Sequence, residues 1–186
     1  MASAHIDRLD REHAQLLVVD FQEKLLPSIA DHAAVTAQAE RMIRAAVVLE
    51  LPITVSEQYP RGLGPTVPAI RAAAEGAARF EKMTFSFCAD PACHKRISAV
   101  LRAQVLIVGI EAHVCVLQTA LDLLAMQMRP IVLADAVGSR RASDYTVALD
   151  GLRAAGVTVT TVESAIFQLL HEAGTDLFKR MLPIVR

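Results

Sequence analysis

Three side chains in this 186-residue sequence could together carry out nucleophilic chemistry: Asp20, Lys82 and Cys115. A free cysteine thiol has a pKa of about 8.5 and becomes a strong nucleophile only when it is ionised. A lysine ammonium near the thiol favours the thiolate, and an aspartate can accept the thiol proton as a general base. These residue types predict attack by Cys115 on a carbonyl carbon if the fold brings them together.

Short apolar runs precede these residues and are typical of strands that are buried on both faces. Four such runs are Gln15–Asp20, Gln104–Gly109, Pro130–Asp135 and Gly156–Val162. They are rich in β-branched residues, lack polar alternation and are bounded by Gly, Pro or charged residues. Pro52–Glu57 and Arg79–Met83 are the fifth and sixth candidate strands. Helical spacing of apolar residues predicts helices at Val35–Leu49, Val116–Met126, Ser143–Ala155, Ser164–Leu170 and Asp176–Leu182.

The alternation of strands and helices predicts an α/β fold: a three-layer, doubly wound, six-stranded parallel sheet in the order 3-2-1-4-5-6. Ligands bind such sheets at the carboxyl ends of the strands, near the point where strand order reverses. Asp20 ends the first strand, Lys82 ends the third, and Cys115 follows the fourth. Cys115 also stands where a helix is expected to begin, and the positive end of a helix favours a thiolate. The three side chains are therefore expected to share one pocket.

Composition predicts one folded domain over residues 1–186, with 53% apolar and 21% charged residues. A net charge of -1 gives no electrostatic reason to expect nucleic acid or a membrane surface as a partner. The sequence shows no apolar stretch long enough to cross a bilayer and no signal peptide. An odd count of three cysteines suits a reducing compartment, and the cytoplasm is predicted. No Gly-rich fingerprint follows the first strand, so a dinucleotide cofactor is not expected.

On these motifs the sequence resembles the isochorismatase-like cysteine hydrolases, in particular the subgroup of isochorismatase domain-containing proteins. The likeness covers nearly the whole chain in the expected order. The matching segments are Val18–Gln22 (VVDFQ), Lys82 in FEKMTFSF, Gly109–Val116 (GIEAHVCV), Asp135–Arg140 (DAVGSR) and Val162–Leu170 (VESAIFQLL).

The resemblance implies that Asp20, Lys82 and Cys115 form a catalytic triad. It also implies a cis peptide between Ile110 and Glu111, and an oxyanion hole made by the backbone amides of Glu111 and Cys115. The mechanism that the family implies is attack of the thiolate on an amide-like carbonyl, followed by hydrolysis of a thioester acyl-enzyme.

Two departures from known members narrow the expected reaction. Nicotinamidases carry metal ligands after the second strand, but Ser56–Leu63 (SEQYPRGL) contains no His, so no catalytic metal and no nicotinamide substrate are expected. Enzymes that cleave the vinyl ether of isochorismate do not need the cysteine, so the presence of Cys115 disfavours that reaction. The predicted function is cofactor-free hydrolysis of a C–N bond in a small amide, carbamoyl or ureido substrate.

Further residues are candidates for contact with that substrate. They are Gln22, Tyr59, Phe85, Phe87 and His113. For Gln22 a simple turn contact is an equal alternative, and the aromatic residues could equally belong to the core. We expect His113 to line the pocket or bond the backbone rather than act as the base. Arg140 and Arg141 are interpreted as exposed charges, and Cys88 and Cys93 as packing or surface thiols rather than metal ligands.

Two other interpretations stay open. The chain could be a binding or scaffold protein that keeps the fold without efficient turnover. It could also be a thiol redox sensor, in which Cys88 or Cys93 resolves a sulfenic acid on Cys115. The apolar composition and the family resemblance predict a homo-oligomer, with Ser164–Leu170 and the C-terminal helix as part of the interface.

Overall fold

The computed structural model describes residues 8–186 and contains a six-stranded parallel sheet. Its order, β3-β2-β1-β4-β5-β6, confirms the predicted topology. The strands are β1 (Ala14–Val19), β2 (Ile53–Gln58), β3 (Ala78–Lys82), β4 (Gln104–Ile110), β5 (Arg129–Gly138) and β6 (Thr158–Thr160). Each predicted strand is present, with bounds shifted by a few residues.

Helices cover the sheet and connect its strands. They are α1 (His32–Val48), α2 (Pro60–Leu63), α3 (Pro68–Ala73), α4 (Pro91–Ala99), α5 (Leu117–Ala125), α6 (Ala142–Ala154), α7 (Val162–Leu170) and α8 (Asp176–Val185). Sequence periodicity did not predict α4, although its start carries a capping signal. Asp90 accepts hydrogen bonds from the backbone N–H groups of Ala92 and Cys93, at 2.9 and 3.1 Å, and Pro91 occupies the first turn.

Side chains of the central strands are buried on both faces of the sheet. In β1, Leu16 and Val18 pack into one core, whereas Leu17 and Val19 pack into the other. The first core includes residues of α1, α3, α7 and α8, and the second includes residues of α4, α5 and α6. This burial on both faces accounts for strands that read as continuous apolar runs.

The apolar pattern of α7 is largely explained by packing within the chain. Ile166 and Leu169 of α7 and Met181 of α8 lie in the first core, while Phe167 remains 43% exposed. The described residues, 8–186, contain no helix that is long and apolar enough to span a bilayer.

Candidate active site

Asp20 follows β1 directly and turns the chain at the carboxyl edge of the sheet. Its φ is +55°, a left-handed conformation that Asp adopts more readily than most residues. Its backbone N–H donates to the carbonyl oxygen of Ser56 at 3.2 Å, and its side chain has no exposed surface. The carboxylate is therefore fixed in the interior at the end of the strand.

Lys82 ends β3 and places its ammonium group against the Asp20 carboxylate. The distance from Lys82 Nζ to Asp20 Oδ2 is 2.7 Å. The same nitrogen lies 2.8 Å from Gln58 Oε1, 3.1 Å from the Phe85 carbonyl oxygen and 3.3 Å from that of Thr84. Because an ammonium group has only three protons, these four acceptors occupy it fully. Lys82 is thus placed as a fixed positive charge.

Cys115 lies in a single π-helical turn, Ala112–Val116, between β4 and α5. The Val116 N–H donates to the Glu111 carbonyl oxygen at 3.2 Å, and the peptide bond between Ile110 and Glu111 is cis. Cys115 is buried, with 5% of its surface exposed. The sequence predicted a helix from Val116, and the regular α-helix begins one residue later, at Leu117.

Burial raises the pKa of the Cys115 thiol to about 12, and the negative charge of Asp20 acts in the same direction. The charge of Lys82 lowers the pKa and offsets only part of this rise. The sequence had suggested that Lys82 and the helix end favour a thiolate at rest, but desolvation in this buried turn outweighs them. At neutral pH the resting group is therefore a thiol, and its proton has to move to a base during attack.

A glycine brings the cysteine turn close to the end of β1. Gly109 of β4 pairs with Val19, the residue before Asp20. A Cβ at Gly109 would lie 2.5 Å from both the Cβ and the carbonyl oxygen of Val19, and the φ of Gly109 is +154°. Only glycine permits this approach, which places Asp20 and the turn that carries Cys115 side by side.

Two side chains of β2 contact the Asp20–Lys82 pair and were not predicted. Ser56 Oγ donates to Asp20 Oδ1 at 2.7 Å, and Gln58 Oε1 accepts from Lys82. The available signal was two polar residues spaced by two in a buried strand, because such residues share a face and need partners.

Gln22 is better explained by the turn contact than by contact with substrate. Its Nε2 donates to the carbonyl oxygens of Gln58, at 2.9 Å, and Gly64, at 2.7 Å, while its Oε1 accepts from the Gln58 N–H at 2.7 Å. Gln22 has no exposed surface. Its polar atoms are therefore used to hold the end of β2, which favours the turn contact over contact with substrate.

The aromatic candidates separate into core and surface. Phe87 is fully buried and packs edge-to-face on Phe80, with ring centroids 6.2 Å apart, so the core interpretation holds for it. Tyr59 and Phe85 are 47% and 55% exposed. Tyr59 lines a cavity of about 330 Å³ that also borders Lys82. Tyr59 and Phe85 remain candidate contacts, whereas Phe87 does not.

The loop after β5 is tied to the cysteine turn by two side-chain contacts. His113 Nδ1 lies 2.9 Å from Ser139 Oγ, and Arg140 Nε donates to Glu111 Oε2 at 2.8 Å. The side chain of Glu111 is 9% exposed, so Arg140 is the partner of a largely buried carboxylate. Arg140 is exposed, as predicted, and in addition it pairs with Glu111. His113 bonds a serine hydroxyl rather than the backbone.

Cys88 and Cys93 are both buried in the core and are not disulfide-bonded. His94 Nδ1 lies 3.3 Å from the Cys88 carbonyl oxygen, which accounts for the position of this histidine. Within residues 8–186, His, Cys, Asp and Glu side chains form no group of three or more arranged to hold a metal ion.

A comparison with protein families matches residues 14–164 to the isochorismatase domain. The chain belongs to the isochorismatase family. The matched range includes Asp20, Lys82 and Cys115, so the buried pair and the cysteine turn lie inside the family domain.

Individual relatives support the isochorismatase assignment. The chain is 40% identical over 186 residues to isochorismatase domain-containing protein 2A of Mus musculus, covering 100% of this chain and 88% of the mouse protein. It superposes with a TM-score of 0.91 and 37% identity on a structure named MAR1 ribonuclease from Caenorhabditis elegans, covering 96% and 92% of the two chains. The YcaC gene product of Escherichia coli, described as an octameric hydrolase of unknown specificity, matches with a TM-score of 0.89 and 23% identity, over 98% and 94% of the chains. That last likeness concerns the fold alone.

Proposed function

We propose that this isochorismatase-family protein is a cysteine-dependent hydrolase of small amide, carbamoyl or ureido compounds. The observation that carries the proposal is the buried ion pair of Asp20 and Lys82, whose charges both act on the Cys115 thiol. A buried ion pair is seldom kept for stability alone, because desolvation costs offset its attraction. Here it supplies a proton acceptor and a fixed positive charge beside a potential nucleophile.

Acylation begins when Cys115 Sγ attacks the substrate carbonyl carbon and Asp20 accepts the thiol proton. The electron pair of the C=O bond moves to oxygen, and the resulting oxyanion accepts hydrogen bonds from the backbone N–H groups of Glu111 and Cys115. When the carbonyl re-forms, the C–N bond breaks and Asp20 returns its proton to the leaving nitrogen. The products are an amine or ammonia and a thioester on Cys115.

Deacylation repeats the sequence with water. Asp20 takes a proton from water as the oxygen attacks the thioester carbon, and the same oxyanion forms. Collapse breaks the C–S bond, releases a carboxylic or carbamic acid, and leaves sulfur to recover the proton from Asp20. Lys82 keeps its proton throughout, because its ammonium group is fully occupied by acceptors. No cofactor enters this scheme.

The surroundings of the site suggest its setting. Tyr59 lines a cavity that borders Lys82, and Phe85, whose carbonyl oxygen accepts from Lys82, has an exposed side chain. These aromatic residues suit a small substrate with an apolar portion. Three free buried cysteines suit a reducing compartment, so we place the activity in the cytoplasm.

We also propose that residues 1–186 form one domain that assembles into a homo-oligomer. The octameric Escherichia coli neighbour supports assembly without fixing the number of subunits.

A substrate screen tests the proposal. Small amides, ureides and carbamoyl compounds are incubated with the protein, amine or ammonia release is measured, and intact mass detects the acyl-enzyme. Cys115→Ser is the blank, and Cys88→Ser is a matched control that removes a buried thiol elsewhere in the core. Turnover together with an acyl adduct in wild type and Cys88→Ser, and neither in Cys115→Ser, supports the proposal. Turnover that persists in Cys115→Ser would overturn the cysteine mechanism.

A further inference from the structure

The end of β2 presents two polar side chains to the two halves of the ion pair. Ser56 and Gln58 are two residues apart, so they lie on the same face of the strand. Ser56 contacts only the Asp20 half and Gln58 only the Lys82 half. Ser56 is fully buried and Gln58 is 9% exposed. Neither position was assigned a role by the sequence pattern or by the family match.

We propose that Ser56 and Gln58 are positioning residues that set the rate at which Cys115 reacts. Ser56 does so by fixing one oxygen of the Asp20 carboxylate, and Gln58 by holding Lys82 in place without cancelling its charge. This inference rests on the proposed function, in which Asp20 is the proton acceptor for Cys115.

The hydroxyl of Ser56 fixes the orientation of the Asp20 carboxylate. Ser56 Oγ donates to Asp20 Oδ1 at 2.7 Å, and Lys82 occupies the other carboxylate oxygen at the same distance. Hydrogen bonds to a charged group are stronger than those between neutral groups, so both oxygens are firmly held. If the hydroxyl is removed, one oxygen of a buried carboxylate loses its donor, and Asp20 is held less firmly as the proton acceptor of Cys115.

The amide of Gln58 is oriented by its own contacts. Its Nε2 donates to the carbonyl oxygen of Met83 at 2.9 Å, and a carbonyl oxygen can only accept. Its Oε1 therefore faces Lys82 Nζ, which can only donate, at 2.8 Å. Gln22 holds the main chain of Gln58 through its N–H and carbonyl oxygen. Every polar atom of Gln58 has a partner, so its oxygen is fixed against Lys82.

A neutral acceptor at this position matters because Lys82 acts through its charge. Glutamate in place of Gln58 would also accept from Lys82, but it would add a negative charge next to the pair. That charge would offset the influence of Lys82 on Cys115 and raise the pKa of the Cys115 thiol. Glutamine keeps the geometry and leaves the charge of Lys82 unopposed by a second carboxylate.

Other titratable groups face the pair and have to be separated from Cys115 in any titration. Cys93 on α4 feels the charges of both Asp20 and Lys82, and Asp90 lies next to Cys93. Cys115 itself faces the pair from the π turn. Peptide-resolved mass spectrometry distinguishes alkylation of Cys115 from alkylation of Cys93, so the pH profile can be assigned to one thiol.

The experiment measures the rate of Cys115 alkylation by iodoacetamide from pH 5 to pH 10. Wild type is compared with Ser56→Ala, Ser56→Thr, Gln58→Glu and Gln58→Met. Thr54→Val is the matched control, because Thr54 is a buried residue two positions earlier on the same face and contacts Arg96 rather than the pair. Thermal melting verifies that each variant is folded.

We expect Ser56→Ala to lower the rate about tenfold at each pH, because Asp20 is no longer held firmly as the proton acceptor of Cys115. Ser56→Thr retains a hydroxyl and should restore the wild-type rate. Gln58→Glu should move the rising limb of the profile upward by about one pH unit, because its charge raises the pKa of the Cys115 thiol. Gln58→Met should lower the alkylation rate of Cys115 about tenfold without moving the rising limb of its pH profile. It removes the oxygen that holds Lys82 but adds no charge. Thr54→Val should match wild type.

Two contrary results separate the inference from the proposed function. If wild-type Cys115 reacts, but Ser56→Ala leaves its rate within about twofold and Gln58→Glu leaves the limb within 0.2 pH unit, roughly the resolution of such profiles, the positioning role is wrong and the nucleophile stands. If wild-type Cys115 is inert at every pH while the protein is folded, the proposed function fails, and the positioning role fails with it.

Discussion

Lys82 Nζ lies 2.7 Å from Asp20 Oδ2, and neither side chain has any exposed surface. The two residues are 62 positions apart in the sequence and meet because β3 and β1 flank β2 in a parallel sheet. This ion pair links the fold to the proposed chemistry, since it joins two strand ends and contains the proposed base for Cys115.

Breaking one half of the pair should destabilise the protein. Lys82→Met leaves the Asp20 carboxylate buried without its counter-ion, and we expect the free energy of unfolding to fall by about 3–5 kcal/mol. The double variant Asp20→Asn/Lys82→Met should recover much of this loss while remaining inactive. Urea denaturation of Lys82→Met, Asp20→Asn and the double variant measures the coupling free energy between the two residues. If the losses of stability in the two single variants simply add in the double variant, the result would contradict a directly interacting pair.

Alkaline pH should destabilise the fold through its three buried thiols. Burial is the first cause that raises the pKa of Cys88, Cys93 and Cys115 to about 12, from 9.0. Below pH 9 both states are protonated and these thiols have no effect. Above it the unfolded chain loses protons that the folded chain retains, so the free energy of unfolding falls by up to about 1.4 kcal/mol per pH unit for each thiol.

Denaturation of wild type and Cys88→Ala is measured at pH 7.5, 9 and 10, values that roughly bracket the free thiol pKa. The three points give the change in the free energy of unfolding with pH. The variant should retain about two thirds of the wild-type decline, because one of three titrating groups is gone. An identical decline of the free energy of unfolding in Cys88→Ala would contradict this prediction, because it would show that the pKa of Cys88 is the same in the folded and unfolded chains.

The contact between Arg140 and Glu111 should support the oxyanion hole. Arg140→Gln removes the partner of a largely buried carboxylate whose residue donates a backbone amide to the proposed oxyanion. We expect kcat on an amide substrate to fall about tenfold and the stability to fall by about 1 kcal/mol, a modest value because Arg140 is partly exposed. Arg141→Gln is the matched control, since it removes the same charge from the next residue. Equal kcat values in both variants would remove Arg140 from the mechanism.

The protein is not expected to cleave RNA, although one similar structure carries the name of a ribonuclease. The chain has a net charge of -1, and RNA affinity depends on basic surface that neutralises phosphates. A fluorescent single-stranded RNA incubated with wild type and Cys115→Ser should remain intact in both. Cleavage that co-elutes with the protein and disappears in Cys115→Ser would assign the site to RNA instead.

The positions of Asp20 and Cys115 could be predicted from the sequence with few rules. Apolar runs identify β1 and β4, and parallel strands place their carboxyl ends at one edge, so the convergence of these two residues needed only the strand order. Lys82 ends β3, which reads ARFEK and is not an apolar run, so its assignment depended more on the family resemblance.

The contacts of Ser56 and Gln58 could not be predicted in the same way. They depend on the register in which Val19 pairs with Ser56 and Gln58 with Lys82, and a shift by one residue would turn both side chains to the other face. The ionisation of Cys115 also escaped local reasoning. A helix end and a nearby lysine are visible in the sequence, but the extent of burial depends on the whole core.

The most direct test of the central claim is the rate of alkylation of each cysteine by iodoacetamide at pH 7 in wild type and Asp20→Asn. Cys88 is an internal control, because its pKa is also raised to about 12 but Asp20 is not among the causes. The account predicts that Cys115 reacts at least about tenfold faster than Cys88 in wild type and loses this advantage in Asp20→Asn. Equal rates for Cys115 and Cys88 in wild type, or a Cys115 rate unchanged by Asp20→Asn, would contradict a nucleophile that is activated by Asp20.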